Sequence, residues 1–154
     1  MEVENTMPFN NKLNSSWWAL RIGLGLAAFL AGLDKFFNLL TNWSMYLSPV
    51  AERFLPVTGK TFMLMTGPIK MLVGLCILTR WTRLGAYALS AWLLAISINL
   101  VTTGGFYDVA VRDVEIAIAA YVLANLTEVR DSIRSASNSG TRSLQESARP
   151  VAAA

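Results

Sequence analysis

Histidine is absent from this chain, and cysteine occurs once, at position 76. The missing imidazoles exclude ordinary haem ligation of the oxidase type, histidine copper sites and histidine acid–base catalysis. One cysteine makes neither an intrachain disulfide nor a C-x-x-C redox pair, so Cys76 is expected to pack as a small apolar residue. The chain is therefore expected to hold no tightly bound redox cofactor of its own. Charge is also scarce: only 15% of the 154 residues are acidic or basic, and a net charge of +3 argues against nucleic acid as a partner.

What fills the space is apolar. The chain is 54% hydrophobic, with a mean hydropathy of +0.44, too greasy for an ordinary soluble domain. Four long apolar stretches stand out, at 17–40, 62–78, 84–103 and 109–126. Each is near the roughly 20 residues that cross a 30 Å hydrocarbon layer, the second being the shortest. The first stretch is too long for a secretory leader and has no small-x-small cleavage site before Asp34, so it is expected to be retained. The predicted fold is all-α: an integral membrane four-helix bundle over residues 17–126, with a polar lead at 1–16 and a polar, disordered tail at 127–154.

The basic residues give this bundle a direction. Lys12, Arg21, Arg80, Arg83, Arg130, Arg134, Arg142 and Arg149 fall at the N-terminus, the second–third turn and the tail, which share one side of a four-span protein. The positive-inside rule then puts both termini in the cytoplasm. Trp17, Trp18 and Trp81 would mark the inner interface, and Trp43, Tyr46, Phe106 and Tyr107 the outer one. Arg21 is expected to snorkel to inner phosphates. A short amphipathic piece at 50–55 is expected on the outer surface, and the glycines at 104 and 105 permit a sharp reversal.

Charges inside the apolar stretches carry the functional argument. Lys70 interrupts 62–78, where an ammonium costs on the order of 2.5–3.5 kcal/mol on insertion scales and so must face a partner. Asp34, Lys35, Asn99, Arg112, Asp113 and Glu115 are the other polar groups within the stretches. Helical spacing places them beside small residues. Gly23, Ala27, Ala31, Asp34 and Asn38 make one stripe on the first helix, and Arg21, Gly25, Ala28, Gly32 and Lys35 an adjacent one. Gly67, Lys70 and Gly74 share a face of the second. Gly85, Ala88, Trp92, Ala95, Asn99 and Thr102 line the third, and Asp113, Ala117, Ala120 and Ala124 the fourth, with Arg112 and Glu115 paired alongside. Bulky residues such as Ile22, Leu26, Phe29, Leu33 and Phe36 fall elsewhere and are expected to face lipid.

The run Arg21-Ile22-Gly23-Leu24-Gly25, continuing to Gly32-Leu33-Asp34-Lys35, resembles the first helix of DoxX-like membrane proteins. Gly67-Pro68-Ile69-Lys70-Met71-Leu72-Val73-Gly74-Leu75 with Leu78-Thr79-Arg80, and Tyr107-Asp108-Val109-Ala110-Val111-Arg112-Asp113-Val114-Glu115, are similar to the same family. The resemblance spans most of 17–126 and implies a four-helix bundle associated with membrane redox systems, such as quinone-linked oxidation or thiol-stress complexes. Family members commonly have an acid where this chain has Lys70, so a role that rests on that acid does not transfer.

Two accounts of the charge cluster stay open. Buried pairs fix helix register and satisfy one another; alternatively Lys70, Arg112 or Asn99 donates to a quinone carbonyl while Asp113 or Glu115 handles protons. A carboxylate metal site from Asp34, Asp113 and Glu115 ranks below both, because three bases compete for the same oxygens. The expected function is a non-catalytic accessory subunit of a larger membrane redox complex, located in a cell membrane such as the bacterial inner membrane, with lipids and other membrane subunits as partners. The alternatives are a quinone-reactive oxidoreductase component and a small proton-coupled carrier.

Overall fold

The computed structural model describes residues 6–37, 39 and 58–147, and they form four helices: α1 (Thr6–Phe37), α2 (Gly59–Leu78), α3 (Thr82–Thr103) and α4 (Tyr107–Ser147). No strand occurs among the described residues. The piece expected at 50–55, together with Trp43 and Tyr46, lies outside them, as do residues 1–5 and 148–154.

Both ends of α2 and the far end of α3 have identifiable causes. The Thr58 hydroxyl accepts the Thr61 N–H at 3.4 Å and caps the start of α2. The last four carbonyls of α2, which no helix can satisfy internally, are all accounted for. Leu75 O accepts the Thr79 N–H at 2.9 Å and the Thr79 hydroxyl at 2.7 Å, and the same hydroxyl lies 3.4 Å from Cys76 O. Ile77 O takes Thr82 Oγ1 at 2.9 Å and Arg21 Nε at 3.0 Å, while Leu78 O takes Arg21 Nη2 at 2.7 Å. Arg21 also donates to Thr79 O. A guanidinium expected among phosphates thus serves as a C-terminal cap from a neighbouring helix. At the far end of α3, Gly104 adopts φ +78° and closes the helix with an N–H bond to Val101 O at 3.2 Å, a conformation that favours glycine.

The chain runs up and down. Arg21 meets the end of α2, Gly25 meets Gly74 and Leu78, Gly32 meets Gly67, and Lys35 meets Thr66, so α1 and α2 are antiparallel. Tyr87 lies against Tyr121 and Ser97 Oγ reaches Ala110 O at 3.1 Å, making α3 and α4 antiparallel too. Gly85 packs on Ile77, and the Trp17 indole donates to Thr127 Oγ1 at 2.8 Å, which joins α2 to α3 and α1 to α4. Neighbours in sequence are neighbours in space, and α1 closes the ring against α4. The start of α1, the α2–α3 turn and the C-terminal part of α4 share one end.

The α1–α2 contact is a pair of backbone crossings made possible by glycine. A Cβ on Gly32 would stand 2.7 Å from Gly67 O, and one on Gly74 2.7 Å from Gly25 O. Gly25 with Gly32, and Gly67 with Gly74, repeat at seven-residue spacing, so both crossings occur on one seam. The structure thereby separates the two small-residue stripes of α1. Gly25, Ala28, Gly32 and Lys35 are buried, whereas Gly23 and Ala27 of the adjacent stripe are exposed and, among its described residues, only Asp34 is buried. On α3 the buried face is Gly85, Ala86, Leu89, Ser90, Leu93, Ser97 and Leu100 rather than the expected stripe, of which Ala88, Ala95 and Thr102 are exposed. The α4 seam of Asp113, Ala117, Ala120 and Ala124 is buried as expected.

Two helices are long and apolar enough to cross a membrane, at Asn11–Phe37 and Thr82–Thr103. Among the described residues of α2 the apolar run is Leu64–Leu78. The stretch expected at 109–126 is interrupted by Arg112, Asp113 and Glu115, which is why composition alone does not mark it. Large apolar side chains cover the outside, among them Leu26, Leu30, Leu72, Leu84, Ile98 and Ile118. Trp17, expected at an interface, is instead buried, while Trp18 and Trp81 are exposed. Helix α4 continues to Ser147 through residues expected to be disordered. Extension of an existing helix needs no new nucleus, and no proline interrupts the segment.

Gly32→Ala is predicted to destabilise the purified protein in mild detergent by about 1–3 kcal/mol, because the methyl group meets backbone. Gly23→Ala, which faces open space, should be neutral or stabilising by up to about 1 kcal/mol. Equal midpoints for the two variants would remove the close-crossing account.

Candidate functional site

Lys70 and Asp113 lie on α2 and α4, the two helices diagonal to each other, and both are 9% exposed. Lys70 falls between Gly67 and Gly74 on the seam where α1 crosses α2. It is eight residues from the end of α2, roughly 12 Å along the axis. Asp113 opens the alanine seam of α4. The two opposite charges act on each other, and Arg112 acts on both.

Lys35, 6% exposed, donates from Nζ to the Thr66 hydroxyl at 2.9 Å and lies close enough to Lys70 for the two ammonium groups to repel. Asp34 is buried on the same turn, and its Oδ1 accepts the Leu39 N–H at 3.0 Å just beyond the end of α1. The interior thus holds two bases and two acids. Asn99 is half-buried near the C-terminal end of α3, where its main-chain carbonyl accepts the Thr102 and Thr103 hydroxyls at 2.7 and 3.0 Å.

Arg112 and Glu115 stand apart from this interior set. The Arg112 side chain is 66% exposed, with Nε 4.0 Å from Asp113 Oδ1, so its nearest acid is the adjacent residue. Glu115 is exposed and forms no ion pair with Arg112 among the described residues. It shares an outward stripe with Val111, Ile118 and Val122. Asp34, Asp113 and Glu115 do not converge as a ligand set, and no group of three metal-ligating side chains occurs among the described residues.

Sequence reasoning passed over the buried hydroxyls. Thr66, Thr82, Ser90, Ser97 and Thr127 are all buried. Ser97 Oγ lies 2.9 Å from Leu93 O and 3.1 Å from Ala110 O, and Thr127 Oγ1 donates to Leu123 O at 2.8 Å while accepting from Trp17. Serine and threonine in apolar helices return their proton to a carbonyl one turn back, so a lone hydroxyl in an apolar run is the signal that marks such positions. Trp92 differs: its buried indole N–H meets no acceptor among the described residues.

Compared with protein-family models, curated proteins and solved structures, the chain matches none of them.

Lys70→Met should cost about 3–5 kcal/mol, the usual penalty for leaving a buried charge without its counterpart. Lys70→Met combined with Asp113→Leu should recover most of that loss. A thermal-unfolding double-mutant cycle in detergent measures the coupling, and strictly additive losses would show that the two charges do not support each other.

Proposed function

We propose that this chain is a multi-pass integral membrane protein with both termini cytoplasmic, serving as a non-catalytic accessory subunit of a larger membrane redox complex. The membrane part of this reading is supported by the apolar exterior and by the two helices of spanning length. It is also supported by an interior that keeps Lys35, Lys70, Asp34 and Asp113 away from that exterior. The redox part follows the resemblance of most of residues 17–126 to DoxX-like proteins.

The observation that carries the subunit reading is Glu115. It lies eight residues into α4, about 12 Å from the helix start, and points outward among apolar side chains. An outward carboxylate at hydrocarbon depth costs roughly 2.5–3.5 kcal/mol unless another polar group covers it. A partner subunit presenting a base or a donor against α4 supplies that cover, with the exposed Arg112 beside it as a second polar contact.

A quinone-reactive role is the second reading, and Trp92 favours it. Gly85 packs on Ile77, so seven residues on along α3 and seven back along α2 bring Trp92 level with Lys70. An indole N–H and an ammonium at one depth suit the carbonyl oxygen of a quinone, with Asp113 as the proton-handling neighbour.

Isolation from native membranes in mild detergent should bring down a cofactor-bearing membrane partner, and Glu115→Leu should release that partner while the bundle stays folded. Recovery of the wild-type chain as a lone, monodisperse species would contradict the subunit reading. Lys70→Met, Trp92→Phe and Arg112→Gln separate the second reading: unchanged quinone-linked turnover in all three removes it.

A further inference from the structure

The bundle has a second polar feature, at the end where α1 begins and α4 leaves the apolar core. Trp17 is its centre. The indole is buried and pinned by its bond to Thr127 Oγ1, and the Arg130 guanidinium stacks 3.8 Å from the ring centroid. Arg21 approaches the same ring at 4.8 Å, but its donors are already committed to the carbonyls that end α2. Arg130 and Arg134 are not so engaged: neither has a carboxylate within 4 Å among the described residues. Four residues apart, they share a face of α4, a like-charge spacing that is unfavourable unless an anion joins them. Partial burial, and then the charge of Arg134, lower the Arg130 pKa from its ordinary value, and Asp131 offsets only part of this.

Between the start of α1 and this part of α4 is an open groove of about 410 Å³, lined by Asn11, Asn14, Trp17, Arg130, Ile133 and Arg134 among others. Its chemistry is specific. Two guanidinium forks suit phosphate oxygens, three amides (Asn11, Asn14 and Asn138) add neutral donors, and Ile133 gives one apolar wall. Its level is specific too. The apolar stretch of α4 ends at Leu126, beside the groove, and Trp18 and Trp81 are exposed at this same end of the bundle, where an aromatic belt meets headgroups.

We propose that this groove is a binding site for the phosphate headgroup of an anionic phospholipid, with Arg130 and Arg134 clamping the phosphate and Asn11 and Asn14 holding the glycerol side. The site rests on the membrane reading given above. A zwitterionic headgroup would bring its own ammonium against the arginine pair, so the groove discriminates by charge. Bound lipid ties the first turns of α1 to the extension of α4 and gives that extension a reason to stay helical beyond the core.

The test uses the full chain in non-ionic detergent, titrated with phosphatidylglycerol, phosphatidylcholine or inorganic phosphate and followed by native mass spectrometry. Phosphatidylglycerol should bind more tightly than phosphatidylcholine by about thirtyfold, from roughly fivefold per basic residue at a membrane surface. Arg130→Gln with Arg134→Gln should abolish the preference, and Arg142→Gln, further along α4 and outside the groove, should leave it intact. Equal binding of the two lipids, or a preference that survives the double substitution, would overturn the proposal. Competition by inorganic phosphate as strong as that by the lipid would also overturn it, since the groove would then be a free-anion site. Alkaline extraction of native membranes separates this from the larger reading. Release of the chain removes the membrane assignment itself, whereas a chain that stays embedded and shows no lipid preference removes only the headgroup site.

Discussion

A lysine enclosed by packed helices requires an opposite charge, and Asp113, buried on the diagonally placed α4, is an acid near enough to act on Lys70. The diagonal matters because α2 and α4 barely touch otherwise; each is packed against α1 or α3. Apolar packing is tolerant of small slips, since one methyl group substitutes well for another. A charge pair is not, because a slip of one turn moves the ammonium by about 5.4 Å and leaves both groups buried without compensation. The pair therefore sets the heights of α2 and α4 together, and the short turns on either side of α3 carry that register to the rest.

The glycine crossings answer the same constraint from the other side. Bringing the backbones of α1 and α2 into contact at Gly25–Gly74 and Gly32–Gly67 leaves Lys70 enclosed between the crossings. Arg21 then closes one end of this seam by capping α2, and Lys35 with Thr66 closes the other. Sequence, packing and electrostatics thus agree along one helix pair: small residues permit the approach, the approach buries the charges, and the buried charges require partners at fixed positions.

Much of this was legible from residue spacing. Glycine and alanine at three- and four-residue steps identified the α2 and α4 faces correctly, because each of those helices has one small stripe. Helix α1 has two, one residue-step apart, and nothing in a periodicity says which of Gly23 and Gly25 meets a neighbour. The α3 face was misjudged for a related reason: its buried side includes Leu89, Leu93 and Leu100, so size did not separate inside from outside. Of the candidate site, Asp34, Lys35, Lys70 and Asp113 are buried, whereas Arg112 and Glu115 turn outward. Spacing had put both beside the seam, and a shift of about 100° around the helix decides the difference. The roles of Trp17 and Arg21 required a contact between distant parts of the chain, which local pattern does not reveal.

The approach of the Lys70 ammonium to the Asp113 carboxylate within the intact bundle is the interaction on which the packing of α2 and α4 depends. Solid-state NMR on isotope-labelled protein reconstituted in bilayers measures it directly, through the dipolar coupling between Lys70 Nζ and the Asp113 carboxyl carbon. A coupling that corresponds to a separation of about 4–6 Å, the range over which an opposite charge holds a group in its ionised form, is the predicted result. A Lys70 nitrogen with no coupling to Asp113 and with contacts to acyl chains instead would contradict it.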